Sequence, residues 1–315
     1  MRILVTGGCG YIGSILVPKL LGLGHEVIAF DIQWFGNYLA DQPNLTVVQG
    51  DIRDIDSVPM EGVNAIIHLA NVANDPCGDL NSKLVWEVNA LGTMQLLEKA
   101  IENGVEKFLL ASSGSVYGIK DEDQVTEELS LVPISDYNKT KMISERVLLS
   151  YKDKIDIFSI RPATVCGYSP RMRLDVAVNL LTMQALTKGE ITVLGGNQTR
   201  PNVHIQDITD IFIHFLGKGG EFAGIYNAGF ENISIMDIAE MVKEQIGAEI
   251  IVKPSNDPRS YRLNSDKLLA TGFSPKHSVL DGIKDVVAAY NDKKLFDEER
   301  YYNIKTMKTL DICKN

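Results

Sequence analysis

The sequence predicts an α/β fold, a doubly wound parallel sheet joined to a smaller C-terminal lobe. Three observations carry that reading. Short apolar, partly β-branched runs alternate with helical stretches through about residue 161, the first run leads straight into a glycine-rich turn and a helix, and the alternation loosens after Arg161-Pro162. With 315 residues and 45% hydrophobic content, the chain can bury a large core and hold two intimately joined lobes.

Arg2 to Thr6 reads as a buried strand, and Ile15 to Leu23 as a helix. Between them lies Gly7-Gly8-Cys9-Gly10-Tyr11-Ile12-Gly13. Gly7, Gly10 and Gly13 lie three apart, and Gly8-x-Gly10-x-x-Gly13 has the spacing that permits a tight turn, close pyrophosphate approach and close helix packing. The helix N-terminus then offers free N–H groups to phosphates, so the turn reads as a dinucleotide site. A second strand, Glu26 to Phe30, ends in Asp31, placed to accept hydrogen bonds from an adenosine ribose. No arginine follows it, so a 2′-phosphate would meet a carboxylate without a cation, and NAD is favoured over NADP.

Further strands are expected at Leu45 to Val48, Ala65 to His68, Lys107 to Ala111 and Ile155 to Ile160. A helix is expected from about Asp175 to Lys188, followed by a turn at Gly195-Gly196 and a loop at Arg200-Pro201. The expected division is a dinucleotide-binding domain over 1–165 with a return segment at about 203–228, and a substrate lobe over 166–202 and 229–290. Residues 291–315 are highly charged and read equally as a docked helix or a loose tail.

Tyr137-x-x-x-Lys141 is the second chemical signal. The spacing alone is weak, because Tyr290/Lys294 and Tyr301/Lys305 match it too. Context separates them: Tyr137 follows the strand Lys107 to Ala111 and the pair Ser112-Ser113, then opens a helical stretch through Val147 that puts Tyr137 and Lys141 on one face. A tyrosine with an ordinary pKa of about 10 must fall by about three units to act as a base near neutrality, which a nearby ammonium and a positive nicotinamide ring can supply. The glycine turn and this pair together point to hydride chemistry on a hydroxyl group.

The ordered series of motifs resembles the extended short-chain dehydrogenase/reductases of the NAD-dependent nucleotide-sugar epimerase/dehydratase family, whose fold is a Rossmann sheet with a substrate-binding lobe. The series runs from the glycine turn through Asp51-Ile52-Arg53, Ile67-His68-Leu69-Ala70, Val88-Asn89-x-x-Gly92-Thr93, Ser112 to Gly118, Tyr137-x-x-x-Lys141, Arg161-Pro162 and Arg200 to Asp207, and the similarity spans residues 1 to about 290. The resemblance implies cofactor-binding positions at Gly7, Gly10, Tyr11, Ile12, Gly13, Asp31, Asp51, Ile52, Leu69, Ala70, Asn89, Tyr137 and Lys141. Asp51 and Ile52 would contact adenine, Leu69 and Ala70 would line the dinucleotide groove, and Asn89 would hold the central helix geometry. Ser113 would orient the substrate hydroxyl, Tyr137 would be the base, and Lys141 would bind the nicotinamide ribose and lower the tyrosine pKa. Asn179 and Arg200 would grip the nucleotide diphosphate, with Arg259 a further substrate-binding position. A homodimer built on the helices around Trp86–Glu102 and Tyr137–Ser150 is also implied.

Departures from the family pattern narrow the chemistry. The 4,6-dehydratases of the family carry an Asp-Glu pair where this chain has Gly114 and Ser115, and enzymes that epimerise C3 and C5 have a cysteine at the position of Ser115. Cys166 reads as packing. What remains is reversible oxidation at one sugar carbon, C4. A nucleotide-sugar epimerase with a 4-keto intermediate ranks first. A C4 dehydrogenase ranks second, because Ser169 to Asn179 resembles a sub-group that does not always return the hydride. A 4,6-dehydratase and a non-catalytic NAD-sensing protein rank lower.

The net charge of −10 argues against nucleic acid as a partner. Four scattered cysteines, Cys9, Cys77, Cys166 and Cys313, form no framework, no histidine pair has metal-ligand spacing, and no apolar run is long enough for a bilayer. With no leader before the first strand, a cytoplasmic enzyme with reduced thiols and no metal is expected.

Overall fold

The computed structural model describes residues 1–255 and 260–312. Its centre is a seven-stranded sheet built from β1 (Arg2–Thr6), β2 (Glu26–Asp31), β3 (Leu45–Gln49), β4 (Ala65–His68), β5 (Lys107–Ala111), β6 (Asp156–Pro162) and a late strand, β10 (Gly224–Ala228). The order is β10-β6-β5-β4-β1-β2-β3, and every pairing in it is parallel. Parallel strands covered on both faces carry continuous apolar runs. Ile3, Leu4 and Val5 of β1 accordingly have no exposed surface, with Ile3 and Val5 in the core on one face and Leu4 in the core on the other.

The chain leaves β3 to return at β4, on the other side of β1. This reversal opens a crevice at the carboxyl ends of β1 and β4, the place where doubly wound sheets take ligands. The helix Gly13–Gly22 follows β1 directly, and the helix Asp136–Leu149 lies between β5 and β6.

Outside the main sheet, β7 (Thr164–Cys166), β9 (Thr199–His204) and β11 (Glu231–Ser234) form a three-stranded sheet, and β8 (Glu190–Leu194) pairs with β12 (Glu249–Lys253). A separate apolar cluster, including Val178, Leu181, Ile191, Ile238 and Ile283, packs this part of the chain around the helix Ala177–Lys188. Both Gly195 and Gly196 have positive φ, +77° and +114°, as a turn between β8 and β9 requires.

The C-terminal segment is docked. Leu295, Tyr301 and Met307 are buried, the Leu174 amide donates to the Tyr301 carbonyl at 2.8 Å, and the helix Asn303–Thr309 follows. In the helices expected to face a second subunit, Leu96, Leu97 and Leu148 are buried within this chain, while Trp86 and Leu91 are exposed. Among the described residues no helix is long and apolar enough to cross a membrane.

Candidate active site

A cleft of about 520 Å³ opens at the crevice and collects residues from both parts of the molecule. Gly7, Gly10, Tyr11, Ile12, Gly13, Asp31, Asp51, Ile52, Leu69 and Ala70 line it, as do Ser113, Tyr137, Lys141 and Arg200.

The glycines explain the floor. Gly7 has φ +72°, and a Cβ there would stand 2.6 Å from the Ala70 nitrogen; one on Gly13 would stand 2.3 Å from the Gly8 carbonyl. Gly10 differs, since a Cβ would meet only the Gly7 carbonyl within 4 Å, at 3.1 Å. Its bare side is therefore turned to the cleft. The helix beginning at Gly13 has no side chain capping its first turn, and although the Ser14 and Ile15 amides are bonded to the Gly10 and Ile12 carbonyls at 2.9 and 3.1 Å, its positive end suits an anion. Asp31 accepts from the Cys9 amide at 3.0 Å and the Gln33 amide at 2.7 Å, which holds its carboxylate at the end of β2. Burial raises its pKa, while these two amides and the Arg171 guanidinium act in the opposite direction. A bare glycine turn, an uncapped helix start and a fixed carboxylate fit a dinucleotide.

Beyond the turn stand the groups suited to moving a proton. Ser135 caps the helix Asp136–Leu149 through the Asn138 amide, which sets Tyr137 in the first turn and Lys141 one turn later. Burial raises the Tyr137 pKa; a hydrogen bond with Ser113 and the positive charge of Arg173 lower it, and Asp75 raises it. Lys141 is only 4% exposed and donates to the Ala111 carbonyl at 2.6 Å. Burial brings its pKa down to about 7, against the opposing charge of Glu145. In the protein without cofactor the positive charge of Arg173 acts on Tyr137, while Lys141 is bonded to the Ala111 carbonyl.

Beneath Lys141 lies a buried ion pair. Glu145 receives Arg161 Nε at 2.9 Å and Nη2 at 2.7 Å on its two oxygens, and Ser112 Oγ at 2.5 Å. Arg161 Nη1 also donates to the Tyr117 hydroxyl at 2.6 Å. Strands β5 and β6 and the helix carrying Tyr137 are locked together at the level of the site.

Two expected residues are outside the cleft. Asn179 is fully buried, accepts from the Gly167 amide at 3.0 Å, and donates to the Tyr11 hydroxyl at 3.1 Å and the Arg173 carbonyl at 2.9 Å. Its amide holds the backbone between β7 and the helix Ala177–Lys188. Asn89 lies in a π-helical turn, Trp86–Leu91, and its amide bridges both backbone groups of Val72 and the Thr140 hydroxyl, tying the loop after β4 to the helix of Tyr137. Arg259 lies outside the described residues. Cys166 has no exposed surface, and among the described residues no His, Cys, Asp or Glu cluster could hold a metal.

Arg171, Arg173, Asp175 and Asn303 line the cleft without having been anticipated there. Arg173 Nε donates to Asp175 Oδ1 at 3.0 Å, and Asp175 Oδ2 accepts from Asn74 Nδ2 and the Asn303 amide, each at 3.2 Å. The alternation Arg171-x-Arg173-x-Asp175 in an extended segment was the available signal. Asn303 had none.

The model for the NAD dependent epimerase/dehydratase family matches residues 3–229. A UDP-glucose 4-epimerase from Lactobacillus helveticus is 28% identical, over 91% of this chain and 95% of its own length. The structure of UDP-glucose 4-epimerase from Thermotoga maritima with UDP-glucose is similar at TM-score 0.84 and 27% identity, covering 93% of this chain and 99% of that one. DesIV, a dTDP-glucose 4,6-dehydratase from Streptomyces venezuelae with NAD and TYD bound, also reaches TM-score 0.84, at 26% identity, covering 94% and 99%.

Proposed function

The chain belongs to the NAD dependent epimerase/dehydratase family, and from that premise we propose that it is a nucleotide-sugar epimerase working by transient oxidation at sugar C4. The observation that carries this reading is the meeting of Ser113, Tyr137 and Lys141 with the glycine turn in one cleft whose serine stretch contains no carboxylate. Asp75 and Asp175 do line the cleft, but Asp75 accepts from the Ser135 hydroxyl and Asp175 is held by Arg173.

In this reading Gly7 to Gly13 hold the dinucleotide's phosphates and Asp31 its adenosine ribose. NAD, when bound, supplies the oxidant that takes a hydrogen from C4 and gives it back. Tyr137 removes the proton from the C4 hydroxyl and later restores it, and Ser113 orients that hydroxyl. Arg173, with its Nη2 buried and unpaired among the described residues, faces the same space and favours the phenolate. Arg200 suits the substrate diphosphate because a guanidinium matches phosphate geometry. The division into an NAD-binding part and a substrate lobe, and a homodimer through the exposed Trp86 and Leu91, belong to the same proposal.

A second reading, a C4 dehydrogenase that releases the keto sugar, is favoured by the segment Ser169 to Asn179. One experiment separates the two. UDP-, GDP-, CDP- and dTDP-sugars are first screened for protection against unfolding, and the protective sugar is then supplied with deuterium at C4. An epimerase returns that deuterium to the epimer, leaves no net NADH and takes no solvent deuterium at carbon. Stoichiometric NADH with a stable keto sugar would establish the dehydrogenase instead. Loss of water with solvent deuterium at C6 would mark a dehydratase.

A further inference from the structure

Arg171 stands in the extended stretch between β7 and the helix Ala177–Lys188. It is 2% exposed, yet it lines the cleft. Its guanidinium carbon is 4.0 Å from the centre of the Phe35 ring, Nη1 donates to the Met172 carbonyl at 3.0 Å, and Nη2 donates to Asn303 Oδ1 at 2.6 Å. Nε is buried with no acceptor among the described residues. Its hydrogen-bond and ring partners are all neutral; the carboxylates of Asp175 and Asp31 act on it only through their fields, against the like charge of Arg173. Burial lowers its pKa to about 10, so it stays charged near neutrality, and a buried charge with no carboxylate bonded to it and an unpaired N–H is costly. An anion beside it offsets that cost.

The position of Arg171 selects which anion. Its charge acts with that of Asp31, at the end of β2, and with those of Arg173 and Asp175, of which Arg173 also acts on Tyr137. The stretch that carries Arg171 is seated on the glycine turn: Ser169 Oγ donates to the Tyr11 carbonyl at 2.8 Å, and the Tyr11 hydroxyl donates to the Gly167 carbonyl at 2.6 Å. The part of a dinucleotide that lies between its adenosine ribose and its nicotinamide is the diphosphate. The glycine turn would hold that group on one side, and Arg171 would reach it from the stretch after β7.

We propose that Arg171 is the counter-ion of the bound dinucleotide's diphosphate and that Asn303 aims it. The inference rests on the reading of the cleft as a dinucleotide site. Asn303 is well fixed for this task, since its own amide is bonded to Asp175 while its side chain holds Arg171. The docked C-terminal helix is then a part of the cofactor site, acting through one side-chain amide. Arg171 binds the ligand and Asn303 is a positioning residue.

The test is calorimetric titration of dinucleotide-free protein with NAD, ADP and adenosine, of which only adenosine lacks the diphosphate. A charge-assisted hydrogen bond of the usual strength predicts that Arg171→Gln weakens NAD and ADP roughly 10- to 100-fold while adenosine binding changes less than about twofold. Arg171→Lys should recover part of the loss. Asn303→Ala leaves the cation in place but unaimed, and should weaken ADP less than Arg171→Gln does, again sparing adenosine; it serves equally if Arg171→Gln fails to fold. Unchanged ADP affinity in folded Arg171→Gln, or in Asn303→Ala where the former does not fold, overturns the inference. So does an equal loss for ADP and adenosine, which would mean that the side chain only shapes the pocket. Wild-type protein that binds neither NAD nor ADP overturns the dinucleotide reading itself, an outcome distinguishable from a failure confined to the variants.

Discussion

The Lys141 ammonium donates to the Ala111 carbonyl at 2.6 Å, so the helix carrying Tyr137 is fastened to the end of β5 at the floor of the cleft. Burial brings the lysine down to about 7 from the ordinary 10.5. Since its value in the folded protein is below that in the unfolded chain, the unfolded chain binds more protons between those two values. The cost to stability is full below about pH 7 and fades as pH rises toward 10.5. Lys141→Met should therefore be more stable than wild type at pH 6, by roughly 3–5 kcal/mol if the whole shift is expressed, and the gap should close toward pH 10. Urea unfolding without cofactor at several pH values measures this; a difference independent of pH would contradict it.

Tyr137→Phe should abolish most turnover, by about 10²- to 10⁴-fold as for loss of a general base, with NAD affinity held within about threefold. Ser113→Ala should be milder, because it removes an orienting contact and not the base. Steady-state rates paired with NAD titration decide the matter. If Tyr137→Phe retained most of its activity, another group would have to be the base.

Asp31 should discriminate against NADP. A 2′-phosphate about 4 Å from its carboxylate is repelled by roughly 1–4 kcal/mol, depending on screening. The nearby Arg171 charge reduces this effect without abolishing it, since Asp31 remains held by two backbone amides. Titration with both dinucleotides should show tighter NAD binding, and Asp31→Ala should narrow the ratio. Equal affinities in the wild type would refute the assignment.

The Glu145–Arg161 pair should be strongly coupled to folding, since its side chains are 1% and 2% exposed. Glu145→Ala leaves a buried guanidinium without its carboxylate and should cost about 3–5 kcal/mol. Denaturant midpoints read this directly, and a loss below about 1 kcal/mol, the range of surface pairs, would show that water reaches the pair.

A homodimer through the face bearing Trp86 and Leu91 should be visible by light scattering at micromolar concentration, and Leu91→Arg should shift it toward monomer. A monomeric wild type at that concentration would remove the proposal, whose apolar support is narrower than the sequence suggests because Leu96, Leu97 and Leu148 are covered within the chain.

What the sequence determined by itself was local. The strands Ala65–His68 and Lys107–Ala111 have the bounds their apolar runs predict, and the glycine turn lies between β1 and a helix, as its spacing requires. Neighbours a few residues apart impose those patterns wherever the chain goes. Tyr137, Lys141 and Ser113 were legible for the same reason: one helix face and one strand end hold all three. Other features were decided only when distant segments packed. The fold brought Arg173, which the sequence did not single out, to act on Tyr137, and packing bonded the Asn179 amide to Tyr11 and Gly167. Residues 291–315 were undecided until Tyr301 and Met307 found apolar surface against earlier parts of the chain, which brought Asn303 to Arg171. The contacts of Asn179 with Tyr11 and of Asn303 with Arg171 join residues more than a hundred positions apart, and short-range periodicity carries no record of them.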